Sequence, residues 1–335
     1  MSTTKRFAAP SHRDANNLHL VCGSGGSRAI LASSGAILGL HRAGFTNWRS
    51  IGGISGGSIP SLFLAHGFTP EEIVKLAIEI DFSSLLTRRK NIVLTFLAFL
   101  LKDRLAQTRP RHAVLTSEKM GTFFEQKVPV WPESYWTMAV AGRTQVFFTS
   151  RGVFQYLKDG TNRQLSDKPA PLGLAVRASC AVPGIIEAVQ YKGIYLFDGA
   201  LSWSGQCPIG AVAEHYKTRP ASIIACDVGD RKGRAADYAS RFWAVLCGNN
   251  CILPQYEEDP AYWVEQGATV ATPAVNQFAS LQFQLSAEQK WQAVRSGYTA
   301  AVAELWKSRL ISNEKLFELS GLATSLDVFT EAFKR

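Results

Sequence analysis

A serine flanked by glycines, Ser55, lies in the run Gly53-Ile54-Ser55-Gly56-Gly57, which has the G-x-S-x-G pattern of a nucleophile elbow. An elbow is a sharp turn between a strand and a helix, and glycines beside the serine let the two elements approach closely. Residues 48–54 predict a short strand and residues 58–66 predict a helix. The helix dipole there favours developing negative charge. The pattern therefore predicts a nucleophilic serine, with Gly53 and Gly57 as the motif glycines.

A second glycine turn, residues 23–28, follows a predicted buried strand (18–22) and opens a predicted helix (29–43). The first N–H groups of a helix have no partners within it, so such a turn predicts an anion or oxyanion site. A dinucleotide fingerprint does not fit, because Arg28 occupies the position of its third glycine and no acidic residue lies near the ribose position. The phosphate-binding Walker pattern also fails, for want of Lys-Ser or Lys-Thr at the right spacing.

A serine hydroxyl needs a base to take its proton, and histidine is the usual one. Only one of the six histidines, His215, follows Asp198 in the chain, as the order of the α/β-hydrolase triad requires. That fold also has several strands before its elbow, and the residues ahead of Ser55 suffice for one strand and one helix. His215 is therefore predicted to be an ordinary helix residue. Asp198 ends an apolar strand and precedes Gly199, so it is a candidate base at a strand end, or else part of an ordinary Asp-Gly turn.

The alternation of strands and helices along the chain predicts one α/β domain with a mainly parallel sheet. Two capping boxes mark helix starts, one at Thr69 and one at Ser286. Strands are expected at 135–141, 144–149 and 222–228, near 267–271, and as a hairpin at 190–197.

Three motifs occur together in the order typical of the patatin-like phospholipases, and the chain resembles that family. The glycine-rich element is Gly25–Ala29, the elbow is Gly53–Gly57, and the third motif is Asp198-Gly199-Ala200. The segment from Arg177 to Gly184 and a helix around Gly297-Tyr298 are also similar, so the resemblance spans residues 18–305. The chain departs from the family pattern at Ser24 and at Ala29. It also departs after the aspartate, where the family usually has an asparagine-x-proline step. Here Gln206-Cys207-Pro208 would take that place, two residues further along the chain than usual.

The resemblance implies a three-layer α/β/α sandwich with a mainly parallel central sheet. It also implies a catalytic dyad in which Ser55 is the nucleophile and Asp198 the base. The N–H groups of Gly25, Gly26 and Ser27 would form the oxyanion hole, with Arg28 ordering the loop. The implied reaction is hydrolysis of acyl esters of phospholipids or related membrane lipids through an acyl-enzyme. No carboxylate cluster with the spacing of a calcium loop occurs in the sequence, so neither a metal nor a cofactor is expected. Two alternatives remain open: transfer of the same acyl group to another acceptor, and a non-catalytic lipid-binding module.

Charge predicts an anionic partner, because 36 basic residues against 27 acidic ones give a formal charge of +9. A phospholipid surface is favoured over nucleic acid, since no dense basic run with interleaved aromatic residues occurs. The apolar run 92–101 is too short to span a bilayer but is flanked by basic residues, so it is either a buried helix or a lid at a lipid surface. The candidate membrane contacts are Arg88, Arg89, Lys90, Phe96 and Phe99.

The expected organisation is a disordered lead-in (1–17), a catalytic domain (18–310) and a helical tail (311–335). The first 17 residues lack the apolar core of a secretory signal. The six cysteines lie mostly in apolar surroundings, which indicates reduced, buried thiols. A cytoplasmic protein that associates peripherally with membranes is therefore expected.

Overall fold

The computed structural model describes residues 17–88, 113–142, 144–157, 159–228, 260–277, 282 and 284–321. The strands in these residues are β1 (His19–Cys22), β2 (Ser50–Gly53), β3 (Thr87–Arg88), β4 (Ala113–Thr116), β5 (Tyr135–Ala141), β6 (Thr144–Thr149), β7 (Gly152–Leu157), β8 (Asn162–Ser166), β9 (Gly184–Ile186), β10 (Val189–Tyr191), β11 (Ile194–Asp198), β12 (Ile223–Cys226) and β13 (Thr269–Ala271). The helices are α1 (Gly26–Arg42), α2 (Ser58–His66), α3 (Pro70–Glu79), α4 (Glu118–Lys127), α5 (Leu172–Ser179), α6 (Ile209–Tyr216), α7 (Pro260–Glu265) and α8 (Ala287–Lys307). Residues 313–321 are also helical.

The central sheet of the described chain has ten strands and two halves of different character. Strands β13, β12, β1, β2 and β5 lie side by side in that order and are parallel. An antiparallel meander, β6 to β8, extends the sheet beyond β5. A separate three-stranded sheet has the order β3-β4-β9. Since parallel strands present their carboxyl ends at one edge, the turns after β1 and β2 lie together there.

Helices cover both faces of the parallel half. In β1, Leu20 and Cys22 belong to the core formed with α1 and α8, whereas Val21 belongs to the core formed with α6. The same alternation occurs in β12, where Ile224 and Cys226 face one core and Ile223 and Ala225 the other. The molecule is therefore a three-layer α/β fold around a mainly parallel central sheet, and the fold prediction is confirmed.

Helix α1 is fixed by close backbone packing against α8. A Cβ on Gly35 would lie 1.9 Å from the carbonyl oxygen of Val294, and one on Gly297 would lie 1.8 Å from that of Ala32. Only hydrogen fits at both positions, so the two helices cross with their backbones in contact. This contact sets the position of α1, and with it the glycine turn at the N-terminus of α1.

The predicted strands and helices in the described residues are confirmed, with ends shifted by a few residues. Both capping boxes form, at Thr69 with Glu72 and at Ser286 with Gln289. The strands β7 and β8 and the small sheet were not predicted. The apolar run 92–101 lies outside the described residues, as do 1–16 and 322–335, so the division into lead-in, domain and tail stays a prediction. Within the described residues, no helix combines the length and the apolar character needed to cross a membrane.

We expect Gly297→Ala to lower the free energy of unfolding by about 1–3 kcal/mol, because the added methyl group must push α8 away from α1. Urea denaturation followed by circular dichroism measures this change. Gly321→Ala is the control, since no atom of the described residues lies within 4 Å of a Cβ there. Equal stability of the two variants would show that α1 and α8 do not depend on this contact.

Candidate active site

Ser55 occupies the turn between β2 and α2 in a left-handed backbone conformation, with φ of 51°. For a residue with a side chain this conformation costs about 1–2 kcal/mol, so neighbouring contacts must hold it. The N–H of Ser55 donates a buried hydrogen bond to Oγ of Ser179 at 2.9 Å. The hydroxyl of Ser58 donates to the carbonyl oxygen of Ser55 at 2.6 Å. Both backbone groups of Ser55 are thus tied down, as a strained elbow requires.

The glycines of the elbow lie where another backbone passes within van der Waals contact. A Cβ on Gly56 would lie 2.1 Å from the carbonyl oxygen of Gly26, and one on Gly57 would lie 2.3 Å from that of Gly23. A Cβ on Gly53 would lie 2.3 Å from the carbonyl oxygen of Cys22. The elbow therefore packs directly on the glycine turn at the start of α1.

The glycine turn leaves a set of amides at the N-terminus of α1. The N–H of Gly23 donates to Cys226 at 2.9 Å, and that of Ser24 donates to Gln206 at 2.7 Å. The next three amides, at positions 25–27, have no backbone acceptor within the described residues. The hydroxyl of Ser27 donates to the carbonyl of Gln282 at 2.7 Å. These three amides precede or begin α1, where the helix dipole adds positive potential.

Arg28 is buried in the first turn of α1. Its side chain is only 3% exposed, and its Nε lies 3.5 Å from where a Cβ on Gly25 would stand. Gln206, the departure noted in the sequence, bonds through its backbone to Ser24. The loop that follows Asp198 therefore bonds to the glycine turn, although Gln206 lies two residues later than the family pattern places its equivalent.

A pocket of about 430 Å³, its open mouth included, joins the elbow to the glycine turn. Gly26, Ser27, Ser55 and Gly56 lie on its wall. Its other lining residues are almost all apolar: Ile30, Ile59, Phe82, Leu86, Met120, Cys180, Val182 and Ile186. Ser55 therefore lies at an apolar cavity rather than in open solvent.

Asp198 reaches the elbow through the arrangement of strands around β5. Both β2 and β11 pair with β5, β2 as far as Thr137 and β11 from Val140 back to Ala139. Because β2 is parallel to β5 and β11 antiparallel, their carboxyl ends converge on Met138. A Cβ on Gly199 would lie 2.4 Å from the Met138 carbonyl oxygen and 2.9 Å from Cγ2 of Ile54, the residue before Ser55.

The carboxyl group of Asp198 is buried, with 3% of the residue exposed, and it does not line the pocket. The N–H of Asp198 donates to the carbonyl of Ala181 at 2.9 Å, and its Oδ1 accepts from the N–H of Ala200 at 2.9 Å. Burial raises the pKa of the neighbouring Cys180 thiol, and the charge of Asp198 raises it further. Cys180 itself lines the pocket beside Ser55.

The sequence model of the patatin-like phospholipases matches residues 20–211, more than half of the chain. The chain belongs to the patatin-like phospholipase family. Its members hydrolyse acyl esters of lipids, so this chain is broadly a lipid acyl hydrolase. No functionally curated protein matches it in sequence. Among solved structures, it is similar to the crystal structure of VipD from Legionella pneumophila, with a TM-score of 0.44 and 12% identity over 92% of this chain and 74% of that chain.

In this patatin-like chain, His215 has a structural role away from the pocket. It lies on α6, stacks on Phe147 with ring centroids 4.8 Å apart, and shares a hydrogen bond between its Nδ1 and the hydroxyl of Tyr156. Burial lowers its pKa to about 4, with a smaller contribution from Arg151. A histidine that resists protonation in an aromatic cluster is not placed to act as the base for Ser55.

Sequence reasoning missed several residues of the site. Ser179 lies in the segment noted for its family resemblance, but nothing local indicated that its hydroxyl meets Ser55. Gly56 directly follows the nucleophile. In a nucleophile elbow the N–H of that residue often binds the oxyanion, and this general rule could have identified Gly56 from the sequence. The pocket residues Phe82, Met120 and Ile186 come from three separate elements and carry no motif.

Of the expected membrane contacts, only Arg88 lies in the described residues, where it is exposed on β3. Arg89, Lys90, Phe96 and Phe99 lie outside them. Within the described part of the chain, no three His, Cys, Asp or Glu side chains are grouped so as to hold a metal ion.

The low pKa of His215 has a consequence for stability. The folded value is about 4 against 6.5 in the unfolded chain, so the unfolded chain binds more protons between these pH values. The free energy of unfolding therefore falls as pH drops from 6.5 towards 4. We expect His215→Gln to lessen this fall by up to about 1.4 kcal/mol per pH unit. Chemical denaturation at a series of pH values measures both slopes.

The control is His66→Gln, which makes the same exchange at an exposed position on α2. If His215→Gln kept the wild-type slope, His215 would not be the group that remains neutral on folding.

Proposed function

We propose that this chain is a serine acyl hydrolase that cleaves fatty acyl esters of phospholipids or related membrane lipids with a Ser55–Asp198 dyad. The observation that carries the proposal is the position of Ser55. It lies on a strained elbow at an apolar pocket, and the same pocket is lined by Gly26 and Ser27 at the start of α1. Membership of the patatin-like family supports lipid esters as the substrate class.

In the first half of the reaction, the Ser55 hydroxyl attacks the ester carbonyl and Asp198 accepts its proton. The tetrahedral oxyanion is bound by amides of Gly25, Gly26 and Ser27, with that of Gly56 as a further donor. Such donors are worth about 3–4 kcal/mol each. The intermediate then collapses, the bond to the leaving alcohol breaks, and protonated Asp198 returns its proton to that alcohol. The acyl group remains on Ser55 as an ester.

In the second half, Asp198 accepts a proton from water and the resulting hydroxide attacks the acyl-enzyme. The same amides bind the second oxyanion. Its collapse releases the fatty acid and restores the Ser55 hydroxyl with the proton held by Asp198. A carboxylate suits this role in a buried site, because accepting a proton removes a charge from apolar surroundings.

The acyl chain is proposed to lie in the pocket beside Ser55. Its walls offer apolar side chains from α1, α2, α4 and the small sheet, and burying a methylene group contributes about 0.8 kcal/mol. A fatty acyl chain gains from such surroundings, whereas a short polar ester does not. This contrast favours lipid esters over small soluble ones.

The protein is proposed to act at an anionic membrane surface from the cytoplasmic side. The formal charge of +9 supports attraction to anionic headgroups. Arg88 is exposed two residues after Leu86, which lines the pocket, so a cation lies close to the pocket in sequence. The buried free thiols of Cys22, Cys180, Cys207 and Cys226 are in keeping with a reducing compartment.

We expect Ser55→Ala and Asp198→Asn each to lower the rate of fatty acid release by about 10³-fold or more, because each removes one half of the dyad. The assay uses vesicles of phosphatidylcholine and phosphatidylglycerol and measures free fatty acid by mass spectrometry. Labelling by a fluorophosphonate provides a second readout: wild type should react at Ser55 and Ser55→Ala should not.

Two matched controls accompany these variants. Ser34→Ala removes a buried hydroxyl that donates within its own helix to the carbonyl of Ile30, and Asp167→Asn removes an exposed carboxylate. Both should keep wild-type rates. Full activity in Ser55→Ala would overturn the proposal, and labelling without release of fatty acid would indicate transfer of the acyl group to an acceptor instead. Absence of labelling in wild type would favour a lipid-binding module.

We expect Met120→Trp to shift acyl preference towards short chains, because the indole fills part of the pocket that Met120 lines. Hydrolysis of p-nitrophenyl esters of increasing chain length should show a fall of about tenfold or more in kcat/KM for long chains relative to short ones, as expected for a loss of about 1.4 kcal/mol of binding.

Met120→Leu serves as the control, because it nearly conserves side-chain volume and such exchanges are tolerated in packed sites. An unchanged chain-length profile in Met120→Trp would show that the acyl chain does not lie against α4.

A further inference from the structure

One short segment bonds to both residues of the proposed dyad. The segment is Ser179–Val182, named here the clamp segment. Oγ of Ser179 accepts the N–H of Ser55 at 2.9 Å, and the carbonyl oxygen of Ala181 accepts the N–H of Asp198 at 2.9 Å. Two residues of one chain segment therefore fix the backbone of the nucleophile and the backbone of the base.

The acceptor at Ser179 meets a specific need of the elbow. The N–H of Ser55 belongs to a residue in a left-handed conformation and lies in a buried environment, with Ser55 5% exposed and Ser179 fully inaccessible. A backbone conformation that leaves a buried N–H without an acceptor is destabilised. The Ser179 hydroxyl supplies this acceptor from a residue 124 positions away.

The clamp segment is itself held firmly. It begins at the last residue of α5, and the N–H of Cys180 donates to the carbonyls of Val176 and Arg177 at 3.1 Å. The Arg177 side chain bonds Ser117 at 3.1 Å and forms an ion pair with Glu187 at 3.4 Å. At its other end, the carbonyl of Val182 accepts the N–H of Ile186 at 2.8 Å. A segment anchored on both sides can transmit a fixed spacing.

We propose that Ser179 is a positioning residue that sets the geometry of Ser55 relative to Asp198, an inference that rests on the proposed function. Its hydroxyl contacts the backbone of Ser55 and acts through that residue, so it is not a catalytic residue. Ala181 completes the clamp through its carbonyl oxygen. The consequence is that loss of the Ser179 oxygen impairs the chemical step in molecules that remain folded.

The experiment compares two pairs of variants that differ in one oxygen. Wild type and Ser179→Ala form the first pair; Ser179→Thr and Ser179→Val, which share one shape, form the second. We expect kcat per active site to fall about 10- to 100-fold in Ala relative to Ser and in Val relative to Thr, with KM within about twofold, since small displacements of reacting groups have effects of this size. Active sites are counted by the final extent of fluorophosphonate labelling.

The Thr and Val pair cancels the effect of the extra methyl group in a fully buried position. Ser34→Ala, which also removes a buried hydroxyl, controls for loss of stability and should keep wild-type kcat. Wild-type kcat per labelled site in Ser179→Ala, with only a lower melting temperature or labelled fraction, would overturn the positioning role. So would equal kcat in Thr and Val.

These outcomes are distinct from failure of the proposed function. If wild type neither reacts with the fluorophosphonate nor releases fatty acid, both the proposed dyad and the positioning role of Ser179 are wrong. If wild type is active and Ser55→Ala is inactive while Ser179→Ala is unimpaired, the positioning role of Ser179 is wrong and the proposed function is kept.

Discussion

The contact between the elbow and the glycine turn is a backbone-to-backbone contact, and the site depends on it. A Cβ on Gly56 would collide with the carbonyl oxygen of Gly26, and one on Gly57 would collide with that of Gly23. Any side chain at these positions would hold α2 and α1 apart. The amides at the start of α1 would then move away from Ser55. The distance between these amides and Ser55 is thus determined by close contacts of glycine backbones rather than by side-chain packing.

The central sheet adds the second constraint. A parallel strand, β2, and an antiparallel one, β11, share one edge of β5 and end facing each other across Met138. This arrangement places Gly199 against Ile54, so the residues that follow Asp198 and precede Ser55 are neighbours although they are far apart in the chain. The antiparallel strand β11 at the edge of β5 is therefore more than an extension of the sheet. It is what allows an aspartate from a hairpin to approach the elbow.

The predictability of these features follows the range of the interactions that create them. Capping boxes are local: Thr69 and Glu72, or Ser286 and Gln289, satisfy each other within one turn, and both were read correctly from the sequence. The elbow and the glycine turn were also indicated locally, by spacing and by strand and helix patterns. The contact of Ser179 with Ser55 could not be, because it depends on where α5 ends in space.

The pocket and the meander were harder for the same reason. Phe82, Met120 and Ile186 become neighbours only when a turn, a helix and a small sheet assemble. Polar residues interrupt β8, whose side chains are mostly exposed at a sheet edge, so its pattern resembles that of a loop. The fold class could be predicted because strand and helix alternation is a property of the whole chain and tolerates such local failures.

Burial also bears on the choice of a carboxylate over a histidine as the proposed base. Two described histidines show what the interior does to an imidazole: burial lowers the pKa of both His19 and His215 to about 4. A histidine base must become positively charged when it accepts a proton, and apolar surroundings oppose that step. A buried aspartate becomes neutral in the same step, which apolar surroundings favour. In a buried position such as that of Asp198, an aspartate that takes the serine proton therefore loses a charge that burial disfavours, whereas a histidine would gain one.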